Sequence, residues 1–175
     1  MKYFILVGES SGDMYGARLM KSIKSMDGNA EFKFWGGPQM LSVDKNRLKS
    51  IEQTSFMGLA ELVKKLGLIR RLFKNAKAHI NEFKPDIVIF IDYPGFNLRM
   101  AKWCHLNAYK VAYYISPQIW AWRKYRYKSI KKYTDLFFVI LPFEQKLYQT
   151  LGVKAHYFGH PILEHIKAKD NTISN

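Results

Sequence analysis

Apolar runs alternate with amphipathic stretches along most of the chain. The clearest run is Ile87-Val88-Ile89-Phe90-Ile91, five apolar residues in succession. Such a run is typical of a strand buried on both faces, as in a parallel sheet. Other short apolar stretches predict further strands at Tyr3–Val7, Glu31–Trp35, Leu48–Glu52, Lys110–Ile115, Asp135–Ile140 and Ala155–Phe158.

Segments with helical spacing of apolar residues lie between these strands. They predict helices at Met14–Met26, near Gln39, over Phe56–Phe83 with breaks at Gly58 and Gly67, at Leu98–Leu106, up to Tyr133 and up to Gln149. Alternation of this kind predicts an α/β fold, a Rossmann-like open and mainly parallel sheet with helices on both faces. The 175 residues fit one domain over 1–166, and the polar tail 167–175 is expected to fray.

The residues after the central strand carry the first candidate chemistry. Asp92 follows the strand directly, and a Pro-Gly turn and Asn97 come next. Open α/β sheets keep their ligands at the carboxyl ends of the strands, so Asp92 can accept a proton or a substrate hydroxyl there. The alternative is that Asp92 caps the turn. Asn97 is expected to cap a helix that starts at Leu98.

A glycine-containing polar turn follows the first strand and reaches the same sheet edge. Its residues are Glu9, Ser10, Ser11, Gly12 and Asp13. Their spacing fits neither the dinucleotide fingerprint nor the P-loop, and the two carboxylates would repel a pyrophosphate. We therefore expect this turn to bind sugar hydroxyls or to shape a cleft.

An aromatic loop, Ser116–Arg123, follows the strand that ends at Ile115. Tryptophan faces stack on sugar rings and apolar chains, and arginine pairs with phosphate. Placing exposed tryptophans on a loop is costly without a ligand. The candidate binding residues in this loop are Ser116, Gln118, Trp120 and Arg123.

The formal net charge is +14, and it is unevenly distributed. No Asp or Glu lies between Tyr93 and Thr134, whereas this segment holds Arg99, Lys102, Lys110, Arg123, Lys124, Arg126, Lys128, Lys131 and Lys132. Such a field attracts nucleic acid, anionic lipid or a phosphorylated substrate, and charge alone does not choose among them. A solvated basic face without a partner is a fourth alternative.

The long helical pattern from Phe56 combines a wide apolar stripe with basic residues. This combination is typical of an interfacial membrane helix, although a core-facing helix has the same pattern and a higher base rate. The candidate membrane or acyl-chain contacts are Phe56, Met57, Lys64, Leu66, Ile69 and Arg70.

Several classes of protein and site are disfavoured. No apolar run approaches the roughly 20 residues that a membrane-spanning helix needs. The lone Cys104 rules out an intramolecular disulfide and suits a reducing cytoplasm. The five histidines lack the spacing of known metal motifs, and no G-x-S-x-G elbow is present, so no metal is expected.

Seven motifs together resemble the lipid-A-disaccharide synthase family. They occur in the family's order and cover residues 1 to about 166: Gly8-Glu9-Ser10-Ser11-Gly12-Asp13, Gly36-Gly37-Pro38-Gln39-Met40, Phe56-Met57-Gly58, Ile91-Asp92-Tyr93-Pro94-Gly95-Phe96-Asn97-Leu98, Ser116-Pro117-Gln118-Ile119-Trp120-Ala121-Trp122, Ile140-Leu141-Pro142-Phe143-Glu144 and Gly159-His160-Pro161. Some members carry Asp at the position of Gly95, so no role is assigned there.

The resemblance implies the acceptor-side half of an inverting GT-B glycosyltransferase of lipid A (lipopolysaccharide) biosynthesis. Its reaction joins UDP-2,3-diacylglucosamine to 2,3-diacylglucosamine 1-phosphate (lipid X) through a β(1→6) linkage, with no cofactor. Asp92 would be the base, and Glu9–Asp13, Asn97 and the aromatic loop would line the cleft. The implied location is peripheral, on the cytoplasmic face of the inner membrane of a Gram-negative-type bacterium, with an acylated glucosamine phosphate lipid and an anionic membrane as partners.

The family's second Rossmann-like half, which binds UDP, is absent from these 175 residues. A truncated product, one polypeptide of a split enzyme and a fragment all fit this, and the chain alone is expected to be inactive. The alternative function is a non-catalytic module that binds a membrane surface or an acidic ligand. A nucleic-acid-binding module explains the charge but not an Asp at the central strand end, so no nucleic-acid partner is expected.

Overall fold

The computed structural model describes residues 1–51 and 65–161, and only the backbone of residues 65 and 66. A single parallel sheet organises this part of the chain. Its strands are β1 (Lys2–Val7), β2 (Glu31–Gly36), β3 (Arg47–Ser50), β4 (Ile87–Ile91), β5 (Lys110–Tyr114), β6 (Leu136–Val139) and β7 (His156–Tyr157). Their spatial order is β3-β2-β1-β4-β5-β6-β7. The order reverses between β1 and β4, which is where doubly wound sheets open their ligand crevice.

Six helices connect the strands in the described part of the chain: α1 (Ser10–Met26), α2 (Pro38–Val43), α3 (Lys65–Phe83), α4 (Pro94–Leu106), α5 (Arg126–Tyr133) and α6 (Pro142–Thr150). The two faces of the sheet carry different helices. Phe4 and Leu6 of β1 pack with residues of α3 to α6, whereas Ile5 and Val7 pack with residues of α1 and α2. Successive strand residues point to opposite faces, so a continuous apolar strand can serve both cores.

The central strand occupies the position that its composition predicts. Residues 88–91 are at most 6% exposed, and β4 is paired in parallel register with β1 on one side and β5 on the other. The predicted Rossmann-like sheet with helices on both faces is therefore confirmed in the described residues.

Several predicted boundaries are wrong. Helix α1 begins at Ser10 instead of Met14, and α4 begins at Pro94 instead of Leu98. Asn97 consequently lies within the first turn of α4 and does not cap it. Helix α3 runs through Gly67 without a break. The predicted break at Gly58 and the polar tail 167–175 lie outside the described residues.

Candidate functional site

The turn between β4 and α4 has a strained backbone. Asp92 and Tyr93 both adopt left-handed conformations, each with φ of 48°. Asparagine and aspartate tolerate this region, but a bulky tyrosine there is an outlier, and each such residue costs about 1–3 kcal/mol. Backbone strain of this kind clusters at active sites, where the surrounding structure holds it in place.

Three hydrogen bonds hold the backbone of Asp92. Its N–H donates to the carbonyl oxygen of Tyr114 at 3.0 Å. Its carbonyl oxygen accepts from Nδ2 of Asn97 at 2.8 Å and from the hydroxyl of Tyr113 at 2.7 Å. Asn97 is fully buried and also donates to the carbonyl of Ile91 at 3.3 Å. These contacts give Asn97 a structural role in the turn, and its contact with ligand stays a prediction.

The side chain of Asp92 is only partly exposed at the carboxyl edge. Burial raises the pKa of this carboxyl above its ordinary value, and the nearby Glu9 carboxylate raises the pKa further. A hydrogen bond from the backbone of Tyr93 and the charge of Arg126 act in the opposite direction. A carboxylate with a raised pKa is a better proton acceptor, because its basicity is closer to the operating pH.

A cavity of about 240 Å³ opens beside Asp92. We call it the Asp92 cleft. Its lining includes Asp92, Ser116, Gln118, Trp122, Arg126 and Glu144. The carboxylate of Glu144 is buried and accepts from the backbone N–H of Leu141 at 3.1 Å, so it supports the start of α6. The cleft therefore combines a candidate base, hydroxyl and amide groups, an indole and a guanidinium.

A strained residue also lies directly before the aromatic loop. Ile115 has φ of 69°, which is rare for a β-branched side chain, and its N–H donates to the carbonyl of Phe138 at 3.1 Å. The hydroxyl of Tyr148 holds the next turn by donating to the carbonyl of Pro117 at 2.9 Å. Trp120 and Trp122 project from this support with 50% and 56% of their surfaces exposed. The loop thus presents two indoles on a rigid base.

The turn after β1 divides into exposed and buried parts. Glu9, Ser10 and Ser11 are exposed at the start of α1. Gly8 lies so close to Tyr93 that a Cβ atom there would overlap the tyrosine ring. This contact joins the turn after β1 to the strained turn after β4.

Asp13 does not face the cleft. It is 2% exposed, and its carboxylate accepts hydrogen bonds from the backbone N–H groups of Gly37, Gln39 and Met40 at 2.7, 2.8 and 3.1 Å. These donors lie at the start of α2, where N–H groups lack partners within the helix. Gly12 is also buried, and a Cβ atom added there would come within 3.1 Å of the Cβ of Val7. Both residues therefore support the fold, and their contact with ligand stays a prediction.

The predicted site residues thus fall into groups. Asp92, Ser116 and Gln118 line one cleft, Glu9 is within electrostatic range of Asp92, and Arg123 lines an adjoining cavity. Trp120 packs edge-on against Phe143 and is not among the residues that line the cleft. Trp122, Arg126 and Glu144 also line the cleft and are not among the predicted site residues. Glu144 could have been found, because it belongs to one of the motifs of the resemblance.

Few of the predicted membrane contacts fall on described side chains. Ile69 is partly buried and Arg70 is exposed on α3. Phe56, Met57, Lys64 and the side chain of Leu66 lie outside the described residues. Within residues 1–51 and 65–161, no helix has the length and apolar character needed to cross a bilayer.

The family model and the curated relatives that match this chain all belong to one family. The family model described as "Lipid-A-disaccharide synthetase" matches residues 3–175. Among curated proteins, the chain is 42% identical to lipid-A-disaccharide synthase of Coxiella burnetii over 158 residues, 90% of this chain and 42% of that protein. It is 39% identical to the Acidobacterium capsulatum protein of the same name over 92% of this chain and 40% of that protein. The chain thus spans well under half the length of these relatives.

Two solved structures share the fold at low sequence identity. A putative UDP-N-acetylglucosamine 2-epimerase from Listeria monocytogenes matches with a TM-score of 0.66 at 14% identity, over 94% of this chain and 50% of that chain. UDP-GlcNAc 2-epimerase from Neisseria meningitidis, bound to UDP-GlcNAc, matches with a TM-score of 0.64 at 12% identity, over 99% of this chain and 51% of that chain. The chain therefore shares its fold with about half of each of these chains, in agreement with the predicted Rossmann-like half of a larger protein.

Proposed function

Because the chain belongs to the lipid-A-disaccharide synthetase family, we propose that it is the acceptor-binding half of a glycosyltransferase that makes lipid A disaccharide 1-phosphate. The acceptor would be 2,3-diacylglucosamine 1-phosphate, and the donor UDP-2,3-diacylglucosamine. Both substrates come from the family resemblance, since the chain spans 42% of a curated relative. The donor site would lie in the part of the relatives that this chain does not match.

Asp92 is the residue to which we assign the chemistry. Its carboxylate would take the proton from the 6-hydroxyl of the acceptor as that oxygen attacks C1 of the donor sugar. The bond between C1 and the UDP oxygen breaks on the opposite face, and UDP leaves with the electron pair. The configuration at C1 is therefore inverted, as expected for a displacement with one general base.

The single observation that carries the proposal is the combination of strain and desolvation at Asp92. The left-handed turn fixes the carboxyl at the mouth of the cleft, and burial raises its pKa. A turn-capping aspartate would not need a desolvated carboxyl. The half-exposed indole of Trp122 also lines this cleft, with the guanidinium groups of Arg123 and Arg126 over its ring.

The direct test is a chimera in which this chain replaces the matched part of the Coxiella burnetii relative. We expect formation of disaccharide 1-phosphate and UDP from the two lipid substrates. Asp92→Asn should lower kcat by about 10²–10⁴ with little change in KM for the acceptor. Asp86→Asn is the matched control, because Asp86 is an exposed aspartate at the other end of the same strand. An unchanged kcat in Asp92→Asn would mean that Asp92 caps the turn and is not the base.

The isolated 175-residue chain should bind the acceptor lipid without turning it over, because the proposal gives it no donor site. Binding can be followed by the fluorescence of the exposed Trp120 and Trp122. Disaccharide formation by the isolated chain would contradict the proposal that the donor site lies outside this chain.

A further inference from the structure

A second cavity adjoins the Asp92 cleft between α4 and α5. It has a volume of about 270 Å³, and we call it the basic pocket. Its lining includes Arg99, Lys102, Arg123, Arg126, Ser129 and Tyr133. Arg126 lines both cavities, as does Pro94, so the two spaces share a wall.

Arg126 is a buried cation without a carboxylate partner. It is 8% exposed, and its guanidinium lies over the ring of Trp122, 5.2 Å from the centroid. Within the described residues, no Asp or Glu oxygen lies within 4.0 Å of it, and the two ion pairs found there involve other residues. Burying an unpaired guanidinium is costly, and such groups are normally paired or hydrogen-bonded.

The neighbouring acidic groups do not pair with the Arg126 guanidinium. Asp92 influences Arg126 only from beyond ion-pairing distance, and the carboxylate of Glu144 accepts from the backbone at the start of α6. Arg123 adds a second guanidinium over the same indole at 4.5 Å from its centroid. Since the chain holds no acid between Tyr93 and Thr134, the basic pocket has a surplus of positive charge.

We propose that the basic pocket binds a phosphate monoester and that Arg126 is its central ligand. Guanidinium groups bind phosphate oxygens through paired hydrogen bonds, and Lys102 would add a point charge. A sugar lying along the Asp92 cleft would then place a hydroxyl at Asp92 and a phosphate at Arg126. This inference rests on the proposed function, because it assigns the pocket to the 1-phosphate of the acceptor.

The test is calorimetric titration of the 175-residue chain with glucosamine 1-phosphate, glucosamine and inorganic phosphate. Glucosamine 1-phosphate should bind about tenfold or more tightly than glucosamine, in a salt-dependent manner. Arg126→Gln should remove that advantage. The double variant Arg123→Gln with Lys102→Gln changes the same pocket at exposed positions. It should weaken the binding of glucosamine 1-phosphate, and it serves as the test if Arg126→Gln does not fold. Lys21→Gln, on α1 and outside both cavities, is the control for lost charge.

The outcomes separate this inference from the proposed function. Equal affinity for glucosamine and glucosamine 1-phosphate, with transfer intact in the chimera, would overturn the basic pocket alone. Binding of phosphate that depends on Arg126, without any binding of glucosamine 1-phosphate, would support an anion site and contradict the proposed acceptor. Phosphate binding that Lys21→Gln weakens as much as Arg126→Gln would indicate general attraction to a chain of charge +14 and overturn the inference.

Discussion

The hydroxyl of Tyr113 donates a 2.7 Å hydrogen bond to the backbone carbonyl oxygen of Asp92. Tyr113 is fully buried in β5, and burial raises the pKa of its hydroxyl well above the ordinary value, so it remains a donor at all working pH values. The bond fixes a carbonyl in the strained turn that carries the candidate base. A core residue therefore positions a backbone group at the candidate active site.

Tyr113→Phe should loosen this turn without touching substrate. Losing one buried hydrogen bond costs about 1 kcal/mol. In the chimera we expect kcat to fall by about tenfold with KM for the acceptor nearly unchanged, since the Asp92 carboxylate would sample misaligned positions. Tyr109→Phe removes a tyrosine hydroxyl that donates to Asn81 at 3.1 Å far from the turn, and it should leave kcat unchanged. A rise in KM at constant kcat in Tyr113→Phe would contradict the positioning role.

The raised pKa of Asp92 predicts a dependence of stability on pH. The folded state binds this proton more tightly than the unfolded chain does, so ionisation of Asp92 destabilises the fold. The cost is absent below the ordinary carboxyl pKa of 3.8 and grows as pH rises through the folded-state pKa. Asparagine tolerates the left-handed conformation and carries no charge.

Asp92→Asn should therefore have a higher Tm than the wild type at neutral pH, and the two Tm values should converge at acidic pH. Thermal melts across that pH range provide the measurement. A Tm difference that is constant with pH would mean that ionisation of Asp92 does not destabilise the folded state.

Asp13 should be one of the most important polar residues for stability. Its carboxylate accepts from three backbone N–H groups at the start of α2. Asp13→Ala leaves buried donors unpaired, which costs about 1–3 kcal/mol per group, so we expect a loss of about 3 kcal/mol in the free energy of unfolding. Denaturant titration measures it. Glu31→Ala, at an exposed acid, should change stability by no more than about 0.5 kcal/mol. Similar losses in both variants would exclude the capping role.

The contact between Gly8 and Tyr93 predicts opposite effects at two glycines. A Cβ atom at position 8 would overlap the Tyr93 ring, so Gly8→Ala should cost about 1–3 kcal/mol and lower activity in the chimera. Gly95 has no neighbouring atom within 4 Å of an added Cβ and lies in the first turn of α4. Gly95→Ala should therefore be neutral or stabilising by up to about 1 kcal/mol. Denaturant titrations that show equal losses would contradict the tight contact at Gly8.

The sequence predicts the position of Asp92 but not the conformation of its turn. The run Ile87–Ile91 predicts a buried parallel strand, and an Asp that follows such a strand lies at the ligand edge whatever the rest of the chain does. The left-handed backbone at Asp92 depends instead on Tyr113 and Asn97, whose hydrogen bonds form only in the folded sheet. Arg126 is one of many basic residues in its segment, and its burial depends on how α5 packs. In the sequence, Asp13 cannot be told from an acid that binds ligand. Only the fold shows that its carboxylate accepts hydrogen bonds from the start of α2.

The outer surface of α3 supports the hypothesis of membrane docking, which stays a prediction. One face of this helix buries Leu72, Ala76 and Ile80 against the sheet. The exposed side carries Leu68, Arg70, Arg71 and Lys74. Since the proposed acyl substrates reside in a bilayer, docking would spare the enzyme the cost of exposing their chains to water, about 0.8 kcal/mol per methylene.

Vesicle co-sedimentation can decide whether this surface binds membrane. Each basic residue near an anionic surface contributes about 1 kcal/mol, so the wild-type chain should bind phosphatidylglycerol vesicles at low salt and should not bind phosphatidylcholine vesicles. Arg70→Glu combined with Arg71→Glu should weaken binding by about tenfold or more, because it removes two attractions and adds two repulsions. The matched control, Lys21→Glu with Lys110→Glu, makes the same charge change at exposed positions off α3 and should bind like the wild type. Equal weakening in both double variants would mean that net charge, and not the surface of α3, drives binding. A wild-type chain that stays in the supernatant with anionic vesicles would show that this helix does not dock.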